Sequence, residues 1–297
     1  MTTRPRTAAR ADSRRLVVPP TALVVTAIVS AQVGAAVART LFDRTGPSGI
    51  VMLRLVFGAV ALGLFWRPTI RERPQRELAL LGAFAATLAA MNLSFYGAID
   101  RIPLGIAVTL EFVGPLTVAI VASRRRLDLV WVGLAAAGIV LLARGGSGAV
   151  HPLGVVLALV AGACWGLYIV LSARVGGVYP GVTGVAAATA GAAVLVAPIG
   201  IATAGRTLLS AHVLVIAAGV GVLSSAIPWS LELEALRRMP TQLFGVLMSL
   251  EPAVAALAGL VVLGQRLGVV SWIAIALVVL ASSGASWAGR GPAPPAA

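Results

Sequence analysis

The 297-residue chain is 59% hydrophobic and only 11% charged, and its mean hydropathy is +0.98. Because a soluble domain has about a quarter of its residues charged, this composition excludes a soluble globular protein and indicates a polytopic membrane protein. The net charge of +13 does not indicate nucleic-acid binding, since the basic residues stand between apolar runs and no basic patch alternates with aromatic residues. The single cysteine, Cys164, lies inside an apolar run and excludes a disulfide framework and a thiolate metal site.

The apolar runs predict an all-α integral membrane protein with ten transmembrane helices. Lipid offers the backbone no hydrogen-bond partners, so each span must satisfy its backbone groups within a helix. An arginine-rich tail, residues 1–19, precedes the first span and lacks the apolar region of a cleaved signal peptide. A short tail, residues 289–297, follows the last span. The predicted spans are 20–40, 48–66, 77–98, 102–123, 128–144, 152–173, 182–205, 211–233, 240–263 and 267–288.

The placement of arginine predicts how these spans are oriented. With a cytoplasmic N-terminus, 16 of the 23 arginines fall in cytoplasmic segments and 6 fall in outside segments, while Arg54 lies within a span. Cytoplasmic loops of membrane proteins carry the excess of basic residues. We therefore expect a multi-pass protein of a bacterial cytoplasmic membrane with both termini inside.

Two of the apolar runs carry a glutamate near the middle, Glu111 in 102–123 and Glu251 in the run that begins at Met239. A charged group at the centre of a membrane helix costs roughly 2.5–3.5 kcal/mol on insertion scales, so an intramembrane acid is a candidate functional site. Glu111 could instead be a protonated group that holds helices together, and Glu251 could be a structural partner of a distorted backbone.

The same two runs share a proline pattern that indicates an internal repeat. Pro103 and Pro115 in the first run correspond to Pro240 and Pro252 in the second at an offset of 137 residues. Five spans in each half is an odd number, so the second half must enter the membrane from the opposite side. We therefore predict two inverted five-helix repeats, residues 20–145 and 151–288, with a substrate site near the midplane between them.

Prolines within the spans predict interrupted helices beside the acids. Pro115 has no N–H to donate to the carbonyl of Glu111, and Pro252 likewise leaves the carbonyl of Met248 free. Pro228, in the eighth span, is the third expected kink.

Other polar residues within the spans are candidates for the lining of a cavity. Arg54 lies roughly 10 Å into its span by helix rise, so it could reach the membrane surface, pair with Glu111 or bind a substrate carboxylate. Amides and aromatic residues within spans either line a cavity or pack between helices. These residues are Gln32, Asn92, Tyr96, Trp165, Tyr168 and Trp229. The acids near span ends, Asp100, Glu232 and Glu234, are expected to be solvated.

An enzyme is not favoured by the sequence. Gly46–Gly49 and Gly145–Gly148 fit the G-x-S-G pattern of intramembrane serine proteases, but His151 and His212 are expected in loops, away from any buried serine. The chain has no H-E-x-x-H zinc motif and no phosphate-binding loop, so we expect no metal and no cofactor.

Five segments together resemble a known family of membrane proteins. The long segments are Ile102–Leu142 and Ser225–Leu267, and the shorter ones are Gln32–Ala36, Leu64–Pro68 and Ala163–Ile169. In this order they resemble EamA-type members of the drug/metabolite transporter superfamily, in particular the bacterial threonine/homoserine exporter branch. The resemblance implies ten helices in two inverted repeats, and export of small amino acids coupled to protons.

One position departs from the family pattern. Where these transporters usually carry Leu-Gly-Glu after the ninth span, this chain has Leu263-Gly264-Gln265. If that glutamate takes part in coupling, the role is absent here or has moved.

From these observations we expect an exporter of small amino acids that works by alternating access. As a hypothesis, Glu111 accepts a proton from outside and competes with the substrate ammonium, while Arg54 holds the substrate carboxylate. An exporter of drugs or nucleobases is the alternative within transporters, and a channel or scaffold is the alternative outside them. Glycine-rich spans permit a homodimer without requiring one.

Overall fold

The computed structural model describes residues 18–65, 73–123, 128–145, 151–179 and 182–288, and every long regular element in those ranges is a helix. The ten spans are α1 (Pro20–Arg39), α2 (Phe42–Phe65), α3 (Gln75–Ile99), α4 (Leu104–Glu111 and Val113–Ser123), α5 (Asp128–Gly145), α6 (Pro152–Val178), α7 (Thr183–Ala204), α8 (Ala211–Gly221 and Ile227–Leu236), α9 (Thr241–Met248 and Glu251–Leu263) and α10 (Val269–Ala288). Most of the predicted tails 1–19 and 289–297 lies outside the described residues.

Nine segments of the described chain are long and apolar enough to cross a membrane. The tenth span is α5, whose apolar stretch Leu129–Leu142 is shorter than the others. Many large apolar side chains lie on the outside of the bundle, as lipid contact requires. For example, Val194 and Val215 are each 72% exposed and Val261 is 80% exposed. The predicted all-α membrane fold is therefore confirmed.

The helix packing has the symmetry of two equivalent halves. Three pairs join a helix to the helix five places later: α2 with α7, α4 with α9, and α5 with α10. Other main contacts correspond in the same way. The contact of α3 with α6 corresponds to that of α8 with α1, and the contact of α4 with α6 corresponds to that of α9 with α1. This exchange symmetry, with an odd number of spans per half, is that of two inverted five-helix repeats.

The two acid-bearing helices are interrupted at corresponding places. The helical run of α4 breaks at Phe112, directly after Glu111, and that of α9 breaks at Ser249 and Leu250, directly before Glu251. In each case a proline follows within a few residues and cannot donate the hydrogen bond that a continuous helix needs. Each glutamate therefore stands at the end of a helical piece.

The break in α4 coincides with a close helix crossing. A Cβ added at Gly162 of α6 would lie 2.5 Å from the backbone oxygen of Glu111, and a Cβ added at Gly114 would collide with the carbonyl of Gly162. Small residues at such crossings let two backbones approach closely within a membrane. The freed carbonyl of Glu111 is thus covered by the α6 backbone.

The eighth helix is distorted by a π-helical turn, Val222–Ala226, placed just before Pro228. The N–H of Ile227 bonds to the carbonyl of Val222, one residue further back than in an α-helix. As a result the carbonyl of Leu223 is free to accept the hydroxyl of Ser30 from α1 at 2.8 Å. Pro228 has no N–H, so the carbonyl of Ser224 is also free.

Gln265, the residue that departs from the family pattern, caps α4. Its side-chain oxygen accepts the backbone N–H of Leu104 at 3.0 Å, at the first residue of that helix. Gly264 ends α9 in the left-handed conformation with φ +65°, which turns the chain toward this contact. The position therefore joins the end of α9 to the start of α4.

Candidate functional site

A cavity of about 210 Å³ lies between the two halves of the bundle. It is lined from both repeats, by residues of α1 to α4 and of α6 to α9. All eight residues that the sequence predicts for substrate or proton binding line it, as does Pro228. The eight are Gln32, Arg54, Asn92, Tyr96, Glu111, Trp165, Tyr168 and Glu251.

Arg54 is held inside the cavity rather than directed to the membrane surface. One terminal nitrogen donates to Oδ1 of Asn92, and the other donates to the freed carbonyl of Ser224 at 3.3 Å. Asn92 is fixed in turn, because its amide nitrogen donates to the carbonyl of Leu88 at 2.8 Å. The guanidinium carbon lies 5.4 Å from the centre of the Tyr96 ring, within reach of a cation–π contact. These partners are all neutral, so the positive charge of Arg54 is positioned without being neutralised.

Glu111 supplies a carboxyl group without a partner. The residue is only 8% exposed, and its side chain makes no hydrogen bond or ion pair with any described residue. In particular, Arg54 does not pair with it. Beside the cavity, Phe112 meets the Trp165 ring edge to face with the ring centres 5.1 Å apart. The cavity thus holds a fixed cation and an unpaired acid that do not satisfy each other.

Glu251 lies in the same cavity but has one partner. The side-chain nitrogen of Gln32, on α1, donates to Oε1 of Glu251 at 3.3 Å. The residues are 6% and 9% exposed, respectively. The other carboxyl oxygen of Glu251 has no hydrogen-bond partner within the described chain.

Polar atoms without partners are concentrated at this cavity. Buried polar groups in native proteins are normally hydrogen-bonded, so each exception calls for an explanation. Among the described residues seven buried side-chain atoms lack a partner, and five of them belong to cavity residues. These five atoms are Gln32 Oε1, Arg54 Nε, Tyr96 OH, Ser224 Oγ and Glu251 Oε2. Such a concentration of donors and acceptors favours a polar ligand.

The structure places Glu232 differently from the sequence expectation. It was expected to be solvated at the end of the eighth span, but α8 continues to Leu236, and Glu232 lines the cavity one turn inside the helix. Ser224, Ser225 and Thr189 also line the cavity and were not predicted. The sequence around Glu232 is compatible with a helix that continues beyond residue 233, and a longer eighth span would have placed Glu232 inside the helix. Glu234 is half-buried at the helix end and pairs there with Arg237 at 3.7 Å and with Arg238.

The serine motifs show no catalytic arrangement in the described part of the chain. The hydroxyl of Ser48 lies 2.8 Å from that of Thr203, and no histidine accompanies it. His151 precedes α6, whereas His212 is the second residue of α8 rather than a loop residue; both are exposed. Most of Gly145–Gly148 lies outside the described residues. No group of three or more metal-ligating side chains occurs within the described ranges.

Comparison with known proteins identifies the family. Residues 152–287 match the EamA-like transporter family. The chain is 41% identical over 270 residues to the threonine/homoserine exporter RhtA of Escherichia coli strain K12, covering 90% of this chain and 91% of the relative. The identity and coverage are the same for RhtA of Salmonella typhimurium strain LT2.

A crystal structure of another protein supports the fold. It superimposes with a TM-score of 0.60 at 21% identity and covers 89% of this chain and 95% of the other. Identity at this level is evidence for the fold alone. Taken with the sequence matches, the ten-helix architecture places the chain in the EamA-like transporter family, in the branch of the threonine/homoserine exporters.

Proposed function

We propose that this protein exports small neutral amino acids of the threonine and homoserine type. The relatives that it matches over nine-tenths of its length are threonine/homoserine exporters. The single observation in the structure that carries the proposal is the cavity, where Arg54 and Glu111 offer opposite charges without pairing. A zwitterionic amino acid supplies the complementary charges.

Arg54 and Glu111 have distinct roles in this proposal. Arg54 binds the substrate carboxylate, for which a guanidinium is suited because it donates several parallel hydrogen bonds. Glu111 binds the substrate ammonium or a proton, but not both at once. Loading the site from the cytoplasm therefore displaces the proton, and a proton entering from outside displaces the substrate. Glu251 and the five neutral residues of the predicted set complete the proposed substrate and proton site; the five are Gln32, Asn92, Tyr96, Trp165 and Tyr168.

The size of the cavity favours a small substrate over a drug. Sites for drug-sized ligands measure about 300–1,000 Å³, whereas this cavity measures about 210 Å³. Aromatic side chains, among them Trp165, Tyr168 and Trp229, also line it, and they would suit an apolar drug. However, the cavity also holds the fixed cation of Arg54 and the unpaired acid Glu111, and this pair of charges favours an amino acid.

Transport by alternating access fits the inverted repeats, since the two halves can exchange conformations around a site at the midplane. The arginine distribution supports a cytoplasmic-membrane protein with both termini inside. The homodimer stays a prediction.

Efflux from living cells tests this proposal. A bacterial host that lacks its own threonine exporters is loaded with a threonine-containing dipeptide, and threonine is followed in the medium. Wild type should release threonine several-fold faster than the empty vector, and Glu111→Gln should not. Glu234→Gln is the matched control, because that acid lies outside the cavity, and it should behave as wild type.

Equal efflux with wild type and empty vector would remove threonine as a substrate. Unchanged pH dependence in Glu111→Gln would remove the role of that carboxyl.

A further inference from the structure

Gln32 and Glu251 form a buried pair that lines the cavity. One hydrogen bond, from Nε2 of Gln32 to Oε1 of Glu251 at 3.3 Å, joins the two planar groups. The second oxygens, Oε1 of Gln32 and Oε2 of Glu251, are both buried and without a partner. The pair lies where α1 packs on α9, and no described side chain forms a hydrogen bond with either oxygen.

If Glu251 is ionised, the pair that it forms with Gln32 has too few hydrogen-bond donors for its acceptors. An amide oxygen and an ionised carboxyl oxygen are both acceptors only, so neither can satisfy the other. Leaving two buried acceptors unpaired costs the full desolvation of each. A single proton on Glu251 removes the imbalance, because the acid then donates to the amide oxygen while the amide nitrogen donates to the acid. A second hydrogen bond of this kind would satisfy both groups.

The groups around Glu251 do not offer a countercharge. The titratable side chains that face it are Glu111 from α4 and Glu232 from α8, both acids. On the α10 side, Ser282 accepts a hydrogen bond at 3.0 Å from Ser249, which lies two residues before Glu251. The cation of the cavity, Arg54, is bound to Asn92 and to the backbone of α8 instead. An ionised Glu251 would therefore be a buried charge among other acids, which is strongly unfavourable.

We propose that Glu251 is a proton-binding site of the transporter, that it carries its proton in this conformation, and that Gln32 shares that proton. The inference rests on the proposed proton-coupled export and deepens it, because it assigns the proton on Glu251 to the pair that this acid forms with Gln32. The carboxylate takes up one proton from the outside when α1 and α9 separate, and it returns that proton to the inside after the pair has opened again. Glu251 is the first residue of the second piece of α9, and α1 packs on this piece, so a change in the charge of Glu251 would bear directly on that contact.

Infrared difference spectroscopy on the full chain in lipid vesicles tests the proposal without a substrate. A protonated carboxyl has a C=O stretching band that a carboxylate lacks, and titration to high pH removes it. We expect a component of this band at neutral pH in the wild type that is lost in Glu251→Gln. The same component should be retained in Glu111→Gln and in the control Glu234→Gln. Absence of the band from wild type, or its persistence at full size in Glu251→Gln, would overturn the proposal.

A second variant keeps the acid in place and tests the partner. Gln32→Leu removes the amide that shares the proton, so the Glu251 component should shift to the higher frequency of a carboxyl with fewer hydrogen bonds. An unshifted band would overturn the pairing even if Glu251→Gln failed to fold. The efflux assay keeps the two claims apart. If the protein exports threonine but the Glu251 component of the infrared band is absent, the proton site is ruled out and the export function stands. If the component is present but threonine is not exported, threonine is ruled out as the substrate and the proton site stands.

Discussion

Arg54 is a charged residue in the middle of a membrane protein, and neutral groups hold it in place. Its terminal nitrogens bond to Asn92 and to the carbonyl of Ser224, while its inner nitrogen, Nε, has no partner among the described residues. A substrate carboxylate can therefore approach a guanidinium whose position is already fixed. Preorganisation of this kind lowers the cost of binding.

Replacing this group by lysine tests the bonds rather than the charge. In Arg54→Lys the cation is kept, but the ammonium cannot hold Asn92 and the α8 carbonyl while binding a carboxylate in parallel. Hydrogen bonds to charged groups contribute about 1.5–3 kcal/mol, so we expect the KM for threonine efflux to rise by roughly tenfold or more. The exposed Arg206 provides the control, and Arg206→Lys should leave the KM unchanged. An unchanged KM in Arg54→Lys would contradict the assigned role.

At the scale of the helix, α8 supplies the cavity with backbone acceptors. The π-helical turn and Pro228 release the carbonyls of Leu223 and Ser224, and α1 and α2 each use one of them. A regular helix would have kept both carbonyls within its own hydrogen-bond pattern. The distortion is therefore what allows α8 to anchor Arg54.

Restoring the missing N–H at this proline should weaken that anchor. In Pro228→Ala, the new N–H can bond to the carbonyl of Ser224 and compete with the guanidinium. We expect a several-fold rise in the KM for threonine with the protein still folded, measured by efflux and by thermal unfolding. Pro198, an exposed proline inside α7, is the matched control, and Pro198→Ala should not alter the KM. Equal KM values in the two variants would show that the freed carbonyl is unimportant.

The elements were predictable from the sequence because long apolar runs fix helices in lipid. The prolines near Glu111 and Glu251 also indicated interrupted helices, and the breaks lie within a few residues of them. The pairing of side chains was not predictable in the same way. Lipid-facing and buried helix faces are both apolar, so the sequence does not reveal which face of α2 meets α3. The contacts of Arg54 with Asn92, and of Gln32 with Glu251, depend on how each helix is rotated about its own axis.

At the scale of the whole molecule, the site lies where the two repeats meet. Each half contributes one interrupted helix with an acid, and matched helix pairs surround the cavity. The symmetry is broken at the end where α1 and α3 finish. There Arg39 donates to the carbonyls of Ile99 at 2.9 Å and Asp100 at 3.2 Å. With both termini inside, as proposed, this contact lies on the outer side of the membrane.

The most direct test of proton-coupled amino-acid export is transport by the purified protein in vesicles. Vesicles with an acidic interior and a neutral exterior are given radioactive threonine outside. If protons and threonine are exchanged, the outward proton gradient should drive threonine to accumulate inside above its external concentration. A protonophore should abolish the accumulation, and Glu111→Gln should not accumulate threonine at all. Accumulation no greater than in protein-free vesicles, or accumulation that the protonophore leaves unchanged, would contradict the account.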